Sequence, residues 1–366
     1  MEWGSLCASL DLGLSSHQPD VSFVFLGGEP LLRFSLIRQA VEYVEARHRP
    51  GRRVNFRVST NGILLRPDIT LFLEQHRVEV QLSFDGILPA QDLRAKGTFP
   101  TLDRLLDNLR ETRPVLFKDG LRISITVIPP AIQHLADSVS YFAGKGCRKI
   151  AIEPLITPHP AWSEERVQEL ECQFSRILDT SLDHVRRTGQ VPLLLFGPLR
   201  KTCQVKRSGA VCGAIQGWNL AVDVDGQVYG CALCVESVQE FRFPLVQRLR
   251  QAVKIGHLNR DFSIGYRKFL EEAHHEDLLN HRENKYSSCG RCADCSYFPD
   301  CMICPVSIAQ SPGNMDPHRV PDFLCAFNRV AQKYRRLFLS KAQQARGVYL
   351  DGLMLQFHDL VDESRL

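Results

Sequence analysis

Through residues 21–154, short apolar runs alternate with longer stretches whose apolar positions recur every three or four residues. Val21, Phe23 and Phe25, with Val24 and Leu26, make a nearly continuous apolar run, the pattern of a strand buried on both faces. It stops abruptly at Gly27, Gly28, Glu29 and Pro30. Four more such runs follow: VNFRVSTNG, VEVQLSFDG, RISITVIPP and KIAIEPL. Helical periodicity separates them near residues 34–47, 68–76, 102–112 and 132–145, and a polar loop with Asp92, Arg94 and Gly97 follows the third run. Upstream, Trp3, Leu6, Leu10 and Leu14 stand at helical spacing. Strands alternating with helices predict an α/β fold with a parallel sheet and right-handed crossovers.

The pattern changes after residue 160. A charged helix is expected over about 162–187, and VPLLLFGPL reads as a short strand or core segment. NLAVDVDGQVYGC alternates about an Asp225–Gly226 turn, which predicts a hairpin ending at Cys231. Helices are expected near 245–255 and 264–282, then the dense block SSCGRCADCSYFPDCMICP and a basic helix carrying Cys325 and Phe327. These shifts suggest an α/β domain over 1–190, a cysteine-rich domain over 191–345 and a tail over 346–366.

Polar residues fall at the ends of the strands. Gly28 with Glu29, Ser59 to Asn61, Ser83 with Asp85, and Glu153 each close an apolar run. A parallel sheet gathers the carboxyl ends of its strands on one rim, where α/β folds place ligands. Asn61-Gly62 and Asp85-Gly86 are also ordinary turn formers, so each alone says little. Gly27 and Gly28 allow close backbone approach, Glu29 offers an acceptor to a cation, and Pro30 suits the first turn of a helix.

Charge narrows the classes only slightly. With 45 basic against 41 acidic residues and a formal charge of +4, no nucleic-acid footprint is implied. No apolar run reaches the roughly 18–20 residues of a membrane span, and the amino terminus lacks a charged-then-apolar signal, so a cytoplasmic protein is expected.

Cysteine changes the picture. Of 13 cysteines, nine lie between Cys203 and Cys304, with a further one at Cys325. Cys7, Cys147 and Cys172 are isolated and read as small buried hydrophobes. The others are ordered as Cys212-x13-Gly226-x4-Cys231, then Cys292-x2-Cys295-x5-Cys301-x2-Cys304, then Cys325. Iron–sulfur clusters and structural zinc both take four thiolates, and with Cys203 there are enough for two sites. Spacing leaves zinc ribbons open and disfavours disulfides in a reducing compartment.

FLGGEPLL, STNGILL, LSFDG and this cysteine order together resemble the radical S-adenosylmethionine enzymes that carry a SPASM domain, such as peptide and sulfatase maturases. The resemblance implies a partial (β/α) barrel followed by a SPASM/twitch-type domain with a β-hairpin and helices. It carries the methionine-amino site onto Gly27, Gly28, Glu29 and Pro30, and the ribose and carboxylate contacts onto Ser59, Asn61, Ser83 and Asp85, with Arg94 beside them. It implies two auxiliary 4Fe–4S clusters, on Cys203, Cys212, Cys231 and Cys304, and on Cys292, Cys295, Cys301 and Cys325. Cys234 and Cys289 are spare and able to replace a neighbour. Implied partners are a peptide or protein substrate, a paired maturase and an electron donor such as flavodoxin or ferredoxin, with neither nucleic acid nor membrane. A block near the second set is also similar to maturases of His-Xaa-Ser repeat peptides.

Three departures qualify the resemblance. The last gap, Cys301-x2-Cys304, is one residue short of the family pattern. The family's C-x3-C-x2-C loop, which binds the radical cluster, is absent, since only Cys7 precedes Gly27. The first barrel strand is missing with it, so a truncated start is expected, S-adenosylmethionine binding is compromised and the chain as given should not cleave it. A non-catalytic homologue that binds a precursor peptide or partner maturase is the competing expectation, with a zinc-ribbon scaffold as a third. Finally, Ala232 follows Cys231 where sulfatase maturases place a basic aspartate, which disfavours formylglycine formation.

Overall fold

The structure is a computed structural model; it describes residues 1–344 except 158, 160, 198–208, 218, 238–241, 259 and 261. The chain divides into two compact units, one of Ser16–Pro154, Ser163–Pro198 and Val330–Leu366, the other of Met1–Ser15, Leu155–Trp162 and Leu199–Arg329.

The first unit is built on strands β1 (Asp20–Phe25), β2 (Arg53–Thr60), β3 (Val78–Ser83), β4 (Leu121–Val127) and β5 (Ile150–Pro154). They pair in sequence order, every neighbour parallel, and curl into a half-barrel. The period of two sorts their side chains onto two faces. Phe56 and Val58 of β2, Val80 and Leu82 of β3, and Ile123 and Ile125 of β4 are buried. The apolar stripes of α2 (Phe34–Glu45), α3 (Pro67–Gln75), α5 (Phe99–Thr112) and α6 (Leu135–Lys145) are buried as well, through residues such as Val41, Leu73, Leu106 and Phe142. Each large apolar side chain so buried contributes roughly 1.5–3 kcal/mol. The alternate face is polar. Arg57 pairs with Glu79 at 2.7 Å and Arg122 with Glu153 at 2.9 Å, and Ser59, Gln81 and Ser124 share that face.

β1 departs from the expected two-sided burial. It is the edge of the sheet, its residues alternate between exposed and half-buried, and Val24 and Leu26 remain 44% and 45% exposed. The apolar run is therefore the signature of an edge strand with apolar residues on both faces. The opposite edge is partly covered, because Ile150 bridges Leu193 and its N–H donates to the Pro192 carbonyl at 2.8 Å. The expected polar loop after β3 is instead a helix, α4 (Leu88–Ala95), started by Pro89 in its first turn. Helix α7 (Arg166–Thr188) completes the unit before its Gly189 cap, where φ is +69°.

In the second unit, helix α1 (Trp3–Ser15) forms where its spacing placed it, burying Leu10. The hairpin of β6 (Ala221–Val222) and β7 (Gln227–Tyr229) turns at Gly226, with φ +90°. It gains a third strand, β8 (Lys254–His257), where a helix was expected to continue. The helix ends at Val253, and Gly256 at φ +150° extends the backbone. Likewise the helix expected over 264–282 is Phe262–Glu272 followed by a single tight turn at Ala273–His275. A second hairpin joins β9 (Tyr286–Ser287) to β10 (Gly290–Arg291), and the helix Asp322–Gln344 follows. The expected tail over 346–366 lies outside the described residues.

Gly86 offers a direct test of the rim. Its φ is +110°, and an added Cβ would stand 2.2 Å from Ser138 Cβ and 2.9 Å from Ser138 Cα. Gly86→Ala is expected to destabilise the protein by about 2–4 kcal/mol, combining positive-φ strain with overpacking. Chemical denaturation checks this; a loss below about 0.5 kcal/mol would show that the turn after β3 is not constrained.

Candidate functional site at the carboxyl rim of the sheet

Glu29 is the centre of the rim. Its Oε1 accepts from the Leu31 N–H at 3.1 Å, capping the short turn Pro30–Arg33, and from Thr60 Oγ1 at 2.8 Å. Its Oε2 accepts from the Asn61 N–H at 2.9 Å. The carboxylate thus ties the end of β1 to the end of β2. An ionised carboxylate has about four lone-pair positions, so one remains on Oε2 for a donor outside these contacts. Gly27, at φ +148°, and Gly28 precede it, and an added Cβ at either would meet nothing within 4 Å. The glycines therefore leave open space beside a carboxylate, a cradle that fits a cationic ligand group.

The next strand ends are more enclosed. Thr60 is buried and its Oγ1 accepts from the Gly62 N–H at 3.0 Å, while Asn61 Oδ1 accepts from the Ile63 N–H at 3.0 Å. Asp85 is only 6% exposed, and its Oδ1 accepts from Arg94 Nη1 and from the Thr126 N–H, both at 2.8 Å. Burial pushes the Asp85 carboxyl above its ordinary value, while Arg94 and the Thr126 N–H pull it back. Arg94 Nη1 also donates to Thr126 Oγ1 at 3.1 Å, which fixes its guanidinium. Gln91 accepts from the Asp85 N–H at 2.9 Å and donates to Thr98 Oγ1 at 2.8 Å. A small pocket lined by Asp85, Thr126, His134 and Ser138 adjoins this network. Ser59 and Ser83 are half-buried at the ends of β2 and β3, and Glu153 is held by Arg122 near the end of β5.

Sequence reasoning named Glu29, Asn61, Asp85 and Arg94, and missed Thr60 as an anchor of Glu29, along with Gln91 and Thr126. The available signal for Thr60 was its position: a hydroxyl on a β-branched side chain at the last residue of a buried strand.

The cysteines of the second unit fall into two groups. Cys212, Cys231, Cys234 and Cys304 meet in one apolar core and act on one another electrostatically. Burial pushes the Cys212 thiol up to about 12, opposed by the Ala214 N–H. A hydrogen bond from Cys234 brings Cys231 down to about 7, helped by the Leu233 and Cys234 N–H groups. Burial raises Cys304 against the N–H groups of Ser307 and Val306. In the second group, Ser287 Oγ donates to Cys325 Sγ at 3.1 Å and accepts from the Cys289 N–H at 3.2 Å. Arg329 hydrogen-bonds Cys289 and faces Cys325 and Cys295, while Arg282 faces Cys301 and Cys292. Cys289, spare in the expected ligand set, is thus within this group, and Cys203 lies outside the described residues. Among the described residues no three His, Cys, Asp or Glu side chains converge on a single-ion site. Thiols in such groups, with amide N–H groups beside them, are the donor chemistry of four-thiolate sites, whether for a cluster or for zinc.

No protein-family model matches the chain. An uncharacterised protein of Methanocaldococcus jannaschii, MJ0907, is 24% identical over 215 residues, 58% of this chain and 68% of that protein. The radical SAM cyclopropyl synthase TigE of Paramaledivibacter caminithermalis is 29% identical over 73 residues, 20% of this chain and only 15% of the synthase. Among solved structures, native anSMEcpe with bound AdoMet and Kp18Cys peptide superposes with a TM-score of 0.69 at 16% identity, covering 94% of this chain and 91% of that one. A histidine-tagged form of anSMEcpe with bound AdoMet gives 0.67 at 16% identity, with 97% and 89% covered. The fold therefore matches that of anSMEcpe, a radical S-adenosylmethionine-type partial barrel with a C-terminal domain.

Two substitutions test the Glu29 anchor. Glu29→Gln turns an amide toward at least one N–H or O–H donor, and Thr60→Val removes a donor to Glu29 and the acceptor for Gly62. Each is expected to cost about 1–3 kcal/mol and to raise amide exchange across residues 26–34. Thermal melts with hydrogen exchange decide it, and unchanged exchange in that segment would refute the anchoring role.

Proposed function

We propose that this chain is a radical S-adenosylmethionine/SPASM-type maturase that binds the cofactor's methionine end at Gly27–Pro30 and would modify a ribosomal peptide or protein, and that these 366 residues, which hold no C-x3-C-x2-C loop, are inactive by themselves. The observation that carries the reading is the Glu29 carboxylate, fixed by Leu31, Thr60 and Asn61, with an open lone pair beside two uncrowded glycines. Glu29 would accept from the ammonium group, the Gly27–Gly28 backbone would let the ligand approach, and Arg94, held by Asp85 and Thr126, would present its remaining N–H donors to a carboxylate. Ser59, Asn61 and Ser83 would offer polar contacts to the ribose. When bound, S-adenosylmethionine supplies hydrogen-abstracting chemistry that no side chain provides, and the protein positions it. Neighbours of this fold bind AdoMet together with Kp18Cys or Cp18Cys peptide, which supports a peptide substrate.

The thiol groups are assigned to two auxiliary 4Fe–4S clusters that bind substrate or accept an electron. Cys212, Cys231 and Cys304 serve the first, and Cys292, Cys295, Cys301 and Cys325 the second, with Cys203 assigned to the first by the resemblance alone. A cytoplasmic setting, a paired maturase and a flavodoxin- or ferredoxin-type donor complete the proposal.

A second reading is favoured by one observation: these 366 residues contain no C-x3-C-x2-C. One thiolate before Gly27 cannot hold a 4Fe–4S cluster, so this chain would bind a precursor peptide or partner maturase without cleaving the cofactor.

Gly28→Ala tests the cofactor cradle. Its stability is expected to change by less than about 0.5 kcal/mol, because the new methyl meets no protein atom. S-adenosylmethionine binding by calorimetry is expected to weaken at least about tenfold, a loss of about 1.4 kcal/mol. Equal affinity in both proteins would remove the ligand from this rim.

Reaction with dithionite tests whether these 366 residues cleave the cofactor. The chain of these 366 residues is expected to release no 5′-deoxyadenosine from S-adenosylmethionine, and release would refute the non-catalytic reading. Anaerobic reconstitution is expected to give about eight irons per chain, four for each cluster. Zinc without iron would remove the cluster assignment.

A further inference from the structure

The thiols of the first group number four without any help from Cys203. Cys234 follows Cys231 by the C-x2-C spacing that supplies two ligands from one turn of backbone. That turn is present: the Cys234 N–H donates to the Cys231 carbonyl at 3.0 Å, and the tight turn Ala232–Cys234 brings both sulfurs to one side, in hydrogen-bond contact. Cys234 is 2% exposed. A buried lone cysteine is usually just a small hydrophobe. Here the thiol is not surrounded by hydrocarbon alone, because Cys231, Cys304 and Cys212 all lie within electrostatic reach of it.

The other three sulfurs are placed in a common way. Cys212, Cys231 and Cys304 each occupy the extended position just before a short helical turn, and all three pack against the core in which Cys234 is buried. Three thiols so placed are one short of a four-thiolate site, and the fourth sulfur beside them is Cys234.

We propose that Cys234 is the fourth thiolate of the first auxiliary site, joining Cys212, Cys231 and Cys304, so that this site closes without Cys203. The proposal rests on the cluster reading above. On ligation each thiol loses its proton to solvent as its sulfur bonds to iron, and no oxidant or reductant is consumed by the protein in that exchange. The Cys231–Cys234 hydrogen bond is lost with the proton, and the two sulfurs bind separate irons. Cys203 is then free of any ligand role.

The test compares the full chain, Cys203→Ser and Cys234→Ser after anaerobic reconstitution with iron and sulfide, by iron count and electron paramagnetic resonance. Cys203→Ser is expected to keep the wild-type iron, and Cys234→Ser to lose up to half of it or to show a three-iron signal in place of one cubane. Half the iron lost in Cys203→Ser, with Cys234→Ser unchanged, overturns the proposal and leaves the cluster reading intact. The Cys203→Ser measurement does not depend on the folding of a core variant. If the wild type holds zinc instead, the cluster reading falls; loss of one zinc in Cys234→Ser alone then upholds Cys234 as a ligand, and retention overturns it. A wild type that binds neither metal overturns both.

Discussion

The Glu29 carboxylate holds the rim together. Without the Thr60 hydroxyl and Asn61 amide upon it, β1, an edge strand with no second neighbour among the described residues, would end in a glycine pair with nothing to direct it. The same contacts fix the charge in space. A carboxylate pinned by its own chain loses little further freedom when a ligand cation arrives, which is how preorganisation turns a single lone pair into useful affinity. Asp85 repeats the arrangement two strands away, holding Arg94 between an aspartate and a threonine hydroxyl. The rim therefore presents a fixed anion and a fixed cation, the complement of a group bearing both charges.

What the sequence made legible follows from what has a local signature. Alternating apolar runs and helical stretches gave the parallel sheet, because period and order survive in one dimension. The polar strand ends gave the rim for the same reason. The burial of β1 is not legible, since Val21, Phe23 and Phe25 look alike whether a strand has one neighbour or two; only pairing distinguishes them. Helix α4 was read as a loop because its sequence, LPAQDLRA, carries too little apolar surface to show periodicity, yet Gln91 is buried there through hydrogen bonds to Asp85 and Thr98. Thr60 stands among the polar strand ends, but its anchoring role is not legible for a related reason: a threonine in a strand is ordinary, and its value comes from a partner 31 residues away.

The cysteine half shows the limits of spacing more sharply. The family resemblance sorted the thiols into two interleaved sets, and the structure keeps Cys212, Cys231 and Cys304 together. Spacing could not rank Cys234 against Cys203, because a ligand set is a property of space. Cys289 makes the same point. It lies in the turn of the β9–β10 hairpin, and the hydroxyl of Ser287 connects its amide to the Cys325 sulfur on the helix Asp322–Gln344. Its C-x2-C spacing names only Cys292 as a neighbour, and folding brings it to Cys325 as well.

Glycines separate what the fold needs from what a ligand would need. At Gly86 a methyl group collides with Ser138, so the absence of a side chain serves packing and the turn. At Gly28 the same methyl meets nothing, and its φ is not one that demands glycine. A residue whose side chain could be accommodated without cost to the fold, next to a carboxylate held at the end of a strand, has its emptiness explained by neither packing nor backbone strain. Its emptiness leaves room beside the Glu29 carboxylate, the feature on which the proposed methionine-amino site rests. The same rim thus holds two glycines of opposite meaning: one is required by the turn and its packing, and the other leaves space beside a charge.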